Sequence, residues 1–335
     1  MPRVVSVVDK GEGLTVAVTA LYSISLVFQV FDTLNYWFQA RLQSKYASIA
    51  ALAAYVAVSV YKIILLMLGK SVLWFAVAAS LDHIVLAVFL LAAYFRNGGA
   101  RFSCSLSKAR ELLASSGSFI LAGLMISIYA STDRLMLKQM LGAEAVGHYS
   151  LAVTISGSWA FVLAAMIDSL YPEIVRCYRE DRLLYQRKNR QLYALVLYTA
   201  LAVSVCICLA ARPFILLIYG EAYLPAVQPL RIVTWYTAFS YLGVARNAWI
   251  VCENQQRYLK YLYVGAAACN VALNLLLIPI WGASGAAAAS LITQVATTTL
   301  LPALFRPLRP NVKLMLDAAL LRGVLPEKQS NHTKE

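Results

Sequence analysis

The residues of this chain that could do chemistry are ionisable groups stranded in apolar sequence. Asp82 and His83 sit side by side near the middle of the apolar run 71–95. Asp133 and Arg134 lie near one end of the run 115–138, Lys62 near one end of 47–69, and Arg231 near one end of 225–249. A charge at the centre of a bilayer costs roughly 2.5 kcal/mol or more, so such groups usually pair or face a wet cavity. An adjacent carboxyl and imidazole can take up a proton or hold an ion, so Asp82 and His83 are expected to respond to an ion gradient. Lys62, Arg134 and Arg231 carry the charge to attract a phosphate group. Asp133 is expected on the same cavity, or ion-paired across helices. Arg246, near the other end of its run, reads as a residue that sets topology, and Asn270, Asn274 and Gln294 read as interhelical hydrogen-bond glue.

Other chemistries find no support. No His, Cys and carboxylate cluster has the spacing of a metal site, and the six cysteines make no disulfide framework. There is no nucleophile–base motif and no glycine-rich phosphate loop. No enzymatic activity, metal or cofactor is expected.

The elements that must position these groups are long apolar segments. Nine occur, near 14–38, 47–69, 71–95, 115–138, 143–170, 192–212, 225–249, 259–280 and 284–305. Each has roughly the 20 residues that carry a helix across about 30 Å of hydrocarbon. Hydrophobic residues make up 61% of the chain and charged residues 13%, half the usual share of about 25%. The expected fold class is therefore all-α: a polytopic membrane protein of about nine transmembrane helices.

The formal charge of +13 would suit a nucleic-acid partner if it were clustered on one soluble face. It is distributed otherwise. Of the 29 Lys and Arg, 21 fall on one side, in alternate connections and the span ends that adjoin them, six on the other side, and Lys62 and Arg231 further within spans. That asymmetry orients the protein by the positive-inside rule. It gives an inner-membrane protein a cytoplasmic carboxyl end, and it removes the need for nucleic acid. The longest external connection, 213–224, is about a dozen residues.

The expected organisation is an external or unstructured amino end (1–13), three spans (14–95), a polar cytoplasmic linker (96–113), a six-helix bundle (114–306) and a cytoplasmic tail (307–335). In the tail, 311–325 has apolar residues at helical spacing, with Lys313 and Asp317 four apart; a helix lying on the membrane surface and a short packed helix are both consistent. An odd span count and a weak start suggest that spans are missing upstream.

Three segments resemble a known family. The stretch 131–149, STDRLMLKQMLGAEAVGHY, through Asp133, Arg134, Met136, Leu137, Gly142, Gly147 and Tyr149, is similar to the start of the second six-helix bundle of O-antigen flippases of the Wzx type. The segment 270–287, NVALNLLLIPIWGASGAA, through Asn270, Asn274, Pro279, Gly282, Gly285 and Ala286, resembles the last helix pair of their multidrug and polysaccharide exporter superfamily. The segment 35–45, NYWFQARLQSK, resembles the stretch after their fourth helix, through Phe38 and Gln39. Physically, Gly142 and Gly147 would bracket a tight turn, and the small residues of 282–289 would allow close packing. The resemblance covers about 20–310 and implies a two-bundle exporter whose first bundle lacks three helices.

The implied function is movement of polyprenyl-pyrophosphate-linked O-antigen or similar repeat units across the inner membrane. Its partners would be the lipid-linked oligosaccharide, membrane lipids and other polysaccharide-assembly proteins. A multidrug or ion antiporter of the same superfamily, a membrane-embedded polymerase or ligase, and an inactive or partner-dependent fragment are the competing expectations. The short external connections weigh against the polymerase.

Overall fold

The computed structural model describes residues 13–41, 43–99, 102 and 105–324, with backbone alone at 13–16, 39, 40, 44, 72 and 114–130. The expected free amino end (1–13) and the last part of the tail (325–335) fall almost wholly outside the described residues. Among the described residues every regular element is helical and no strand occurs. In hydrocarbon this is one of the two ways to satisfy every backbone N–H and C=O within a segment. The chain divides into two compact units, Met1–Ala109 and Arg110–Glu335.

The first unit holds α1 (Gly13–Phe28), a 3-10 turn (Gln29–Asp32), α2 (Thr33–Ala40), α3 (Ser44–Met67) and α4 (Val72–Arg96). Helix α4 packs against both α1 and α3. Ala50, Ala54 and Val58 of α3 and Ala76, Ala78 and Ala87 of α4 are buried. Small side chains let helices approach closely where lipid offers no hydrophobic drive to associate. At one end Leu34, Phe38, Leu90 and Tyr94 form an aromatic-rich cluster, with Trp37 edge-on to both rings and Arg41 stacked 4.2 Å over Trp37.

The second unit runs through α5 (Leu106–Leu141), α6 (Ala143–Gly157), α7 (Ala160–Glu180), α8 (Arg182–Ile218), α9 (Val227–Cys252), α10 (Leu259–Val295), a π-turn (Ala296–Leu300), α11 (Leu301–Leu304) and α12 (Arg309–Ala319). Helix α9 is central and packs against α6, α7, α8 and α10. Gly142, at φ 92°, makes the sharp turn between α5 and α6, a conformation that favours glycine. Gly147 lies inside α6 with open space around it and takes no part in that turn.

The apolar runs predict nine spans. Among the described residues five helices are long and apolar enough to cross a membrane, and a sixth span results if α6 and α7, bent by 41° at residues 158–159, are one crossing. Much of the difference lies in Gln256–Leu304, which counts once as a 49-residue segment. Straight, it would run roughly 74 Å, more than twice the hydrocarbon thickness. It does not run straight: Gly282 sits at φ 57°, ψ −132°, outside helical space. Asn270 and Ser290 both hydrogen-bond the carboxylate of Asp133, although twenty helical residues would separate them by roughly 30 Å. The chain therefore folds back at Gly282 into two arms, 259–281 and 283–304. A Cβ at Gly285 would overlap the Leu277 carbonyl, so glycine is needed at the crossing point as well.

The expected span 225–249 coincides with α9, which is continuous and long enough but, carrying Arg231, Arg246 and Asn247, is not among the helices apolar enough to cross. The span 115–138 falls in α5, where most side chains are not described.

The basic stretch 171–191, expected as a loop, is almost entirely helical. Helix α7 continues to Glu180, and Asp181 starts α8 by accepting from the backbone N–H of Leu183 (2.8 Å) and Leu184 (3.0 Å). The tail helix α12 packs against α8. Its Asn311 is fully buried and donates to the Tyr193 hydroxyl at 2.6 Å, while Val312, Leu314, Met315 and Ala318 are buried around it.

Candidate functional site

In the second unit, Asp133 is 8% exposed and every lone-pair direction of its carboxylate is used. Oδ1 accepts from Asn270 Nδ2 at 3.0 Å and Asn274 Nδ2 at 2.6 Å. Oδ2 accepts from the Tyr149 hydroxyl at 2.7 Å and from the Ser290 hydroxyl. The donors come from α6 and from both arms of α10, so one carboxylate joins three helical segments to α5. Asn270 and Asn274 are four apart and share a helix face, with a 3.1 Å hydrogen bond between them. A buried ion without partners would be prohibitive; four donors offset much of its desolvation. The amide oxygen of Asn274 and the hydroxyl of Thr293 are buried beside this network without partners. Among the described residues no group of three His, Cys, Asp or Glu could hold a metal ion.

Asp133 lines a cavity of about 380 Å³ together with Arg134, Tyr149, Ser156, Tyr236 and Ser240. Arg134 has no ion-pair partner among the described residues. A second cavity, about 230 Å³, shares Tyr236 and Ser240 with the first and continues to Arg246, Asn247, Tyr263 and Gln294. Arg246 is 4% exposed; its guanidinium donates to the Thr297 carbonyl at 3.1 Å, Nε has no partner, and no carboxylate is bonded to it. Thr297 lies in the π-turn, where backbone irregularity presents this carbonyl. Tyr236 and Ser240 thus stand on the walls of both cavities, one of which is also lined by Arg134 and the other by Arg246. In the sequence Arg246 reads as a topology residue, and nothing local in the chain marks it as buried.

Arg231 does not line either cavity. Its Nε donates to the Cys208 carbonyl at 3.3 Å and the Cys208 thiol returns a contact to its own carbonyl, which ties α9 to α8.

In the first unit, Lys62 of α3 and Asp82 of α4 form an ion pair at 2.7 Å, each side chain more than a third exposed. Lys62 is therefore not a free cation. His83 meets Gln29 at 3.4 Å, and its Nδ1 is buried without a partner. Ser80, two residues before Asp82, donates to the Leu21 carbonyl at 2.6 Å and fixes α4 against α1.

Fold and cavities define an all-helical polytopic membrane protein with a polar, cation-flanked cavity among its helices. The description "Polysaccharide biosynthesis protein" belongs to a family whose model matches residues 11–178, half of the chain, and the chain belongs to that family. No curated protein and no solved structure matches it.

Proposed function

We propose that the protein moves polyprenyl-pyrophosphate-linked polysaccharide repeat units, of the O-antigen kind, from the cytoplasmic to the outer face of a bacterial inner membrane. The observation that carries this reading is the pair of cavities that share Tyr236 and Ser240, one lined by the exposed Arg134 and the other by the buried Arg246, neither of them ion-paired among the described residues. An anionic pyrophosphate supplies the charge such guanidiniums lack, in the bidentate geometry they favour. Sugar hydroxyls exchange water for the hydroxyls of Tyr149, Tyr236, Thr237 and Ser240, while the polyprenyl chain stays in lipid. Bundle rocking opens the cavities to each face in turn. The reading needs no covalent chemistry, in keeping with a transporter of lipid-linked sugar.

Two places in this reading would serve ion coupling. In the first unit, breaking the contact between Asp82 and Lys62 would leave that ammonium free, with His83 next in sequence to Asp82. In the second unit, the Asp133 carboxylate, with the unpartnered oxygens of Asn274 and Thr293 beside its network, is the second place. The carboxyl end lies in the cytoplasm in this scheme.

The test is reconstitution in proteoliposomes with a fluorescent polyprenyl-pyrophosphate oligosaccharide, measuring the fraction moved beyond the reach of an external glycosidase. Arg246→Gln and Arg134→Gln are each expected to slow transfer at least tenfold, while Arg231→Gln leaves the rate within twofold. Transport of small organic cations with no lipid-linked sugar transfer would replace this reading with drug efflux.

A further inference from the structure

A third cavity, about 560 Å³, lies at the end of the second unit where α8 begins, α9 ends and α12 docks. Its chemistry is distinct from that of the Asp133 site. Arg182, Arg190 and Lys313 supply three cations; Glu253 and Asp317 supply two carboxylates. Glu253 is taken by Arg182 at 2.6 Å. Arg190 and Lys313 make no hydrogen bond or ion pair with any described residue, nor does the Asp317 carboxylate, so one positive charge is left in excess.

The lining is also unsatisfied where it is most buried. Tyr185 is 1% exposed, yet its hydroxyl has no partner, and the buried Nε of Arg190 has none. A donor left unpaired in such surroundings costs about 1–3 kcal/mol, so a persistent one asks for an acceptor. The Arg190 guanidinium is held in place. The turn after α12 closes over it, tied to α8 by Gln191 donating to the Val324 carbonyl at 2.9 Å and Tyr198 donating to the Ala319 carbonyl at 2.8 Å. Gly323 in that turn has φ 64°, and a Cβ there would overlap the Arg190 guanidinium.

We infer that this cavity is a phosphate-binding site formed by Arg190, Lys313 and Tyr185, which takes either the headgroup of an anionic phospholipid or a soluble phosphate. An ester phosphate offers acceptors to the Tyr185 hydroxyl, the Arg190 Nε–H and the Lys313 ammonium together, and the volume suits a glycerophosphate-sized group. A basic pocket between helix ends at a membrane surface is the setting in which anionic headgroups bind. The ligand would clamp α12 onto α8 and α9. This inference does not rest on the transport reading.

The experiment uses the full-length, delipidated protein in neutral detergent. Bound species are counted by native mass spectrometry with phosphatidylglycerol, phosphatidylcholine, inorganic phosphate or pyrophosphate added, and melting is followed in parallel. Phosphatidylglycerol binding without phosphatidylcholine binding identifies the lipid source; binding of inorganic phosphate or pyrophosphate identifies the soluble one. In either case Arg190→Gln with Lys313→Gln should weaken binding at least tenfold. Tyr185→Phe, which keeps the ring's packing, should weaken it several-fold, and Arg176→Gln should leave it unchanged. Gly323→Ala should mimic the loss of Arg190. No saturable binding of any probe, or binding indifferent to all of these changes, overturns the inference. If the double variant does not fold, Tyr185→Phe and Lys313→Gln alone decide.

Discussion

Asp133 shows why single residues carry so much in this protein. Its carboxylate accepts from Asn270, Asn274, Tyr149 and Ser290. Hydrogen bonds to a charged group contribute about 1.5–3 kcal/mol each, more than neutral ones. Asp133→Asn turns one acceptor oxygen into a donor facing donors, so it should cost at least about 2 kcal/mol. Tyr149→Phe removes one bond and should cost less. Thermal melting of the purified variants checks the order, and equal melting points would show that the network does not stabilise the fold. Lys62 and Asp82 make a second test. Each single replacement by alanine should slow transport, whereas the exchange Lys62→Asp with Asp82→Lys should recover part of the rate, because the 2.7 Å pair is then rebuilt in reverse. Failure of the exchange together with normal single variants would remove the pair from the coupling scheme.

At the scale of elements, apolar runs in the chain located most helices, since a bilayer demands length and hydrophobicity and both are visible in sequence. What stayed hidden is long-range. Asp133, Asn270 and Asn274 stand out singly as motif residues and polar glue, but 137 and 141 positions separate the partners, and no local pattern states that they meet. Arg246 looks like a topology residue because it sits near the end of an apolar run; its burial comes from α10 and the π-turn packing over it. The basic stretch 171–191 reads as a loop because it is polar, yet helices α7 and α8 continue through it, with Asp181 alone marking the break. The hairpin of α10 gives the element-level prediction. Gly282→Ala forces a Cβ into positive φ, which costs about 1 kcal/mol or more, and should lower the melting temperature. Gly147→Ala, in a helix with open space around it, should be neutral or raise stability by about 0.5–1 kcal/mol. The reverse order would mean that the turn does not need glycine.

For the whole molecule, the expected orientation rests on a 21-to-6 division of basic residues between the two sides. Many of these residues have a definite place in the fold: Arg176, Arg179, Arg182, Arg187, Lys188 and Arg190 all lie at the junction of α7 and α8, with Lys188 paired to Glu173 at 2.9 Å and Arg182 to Glu253. A fluorescent protein fused after Glu335 should therefore light up in the cytoplasm, while alkaline phosphatase at the same position should be inactive. Active phosphatase there would reverse the assignment of faces and move the phosphate cavity to the opposite surface.

Helix α9 has a consequence for biosynthesis. It occupies the middle of its unit, yet Arg231, Arg246 and Asn247 leave it short of the apolarity a spanning helix needs on its own. An arginine costs an isolated segment up to about 2.5–3.5 kcal/mol at insertion, the full figure applying at the centre and less toward the ends, where these two lie. The groups that offset that cost arrive from elsewhere: the Cys208 carbonyl from α8, made before it, and the Thr297 carbonyl from the end of the α10 hairpin, made after it. A nascent chain halted between residues 252 and 297 would present the insertion machinery with a segment holding only half its partners. Release of α9 into lipid should therefore wait for the hairpin, and the last third of this protein should enter the membrane as one block.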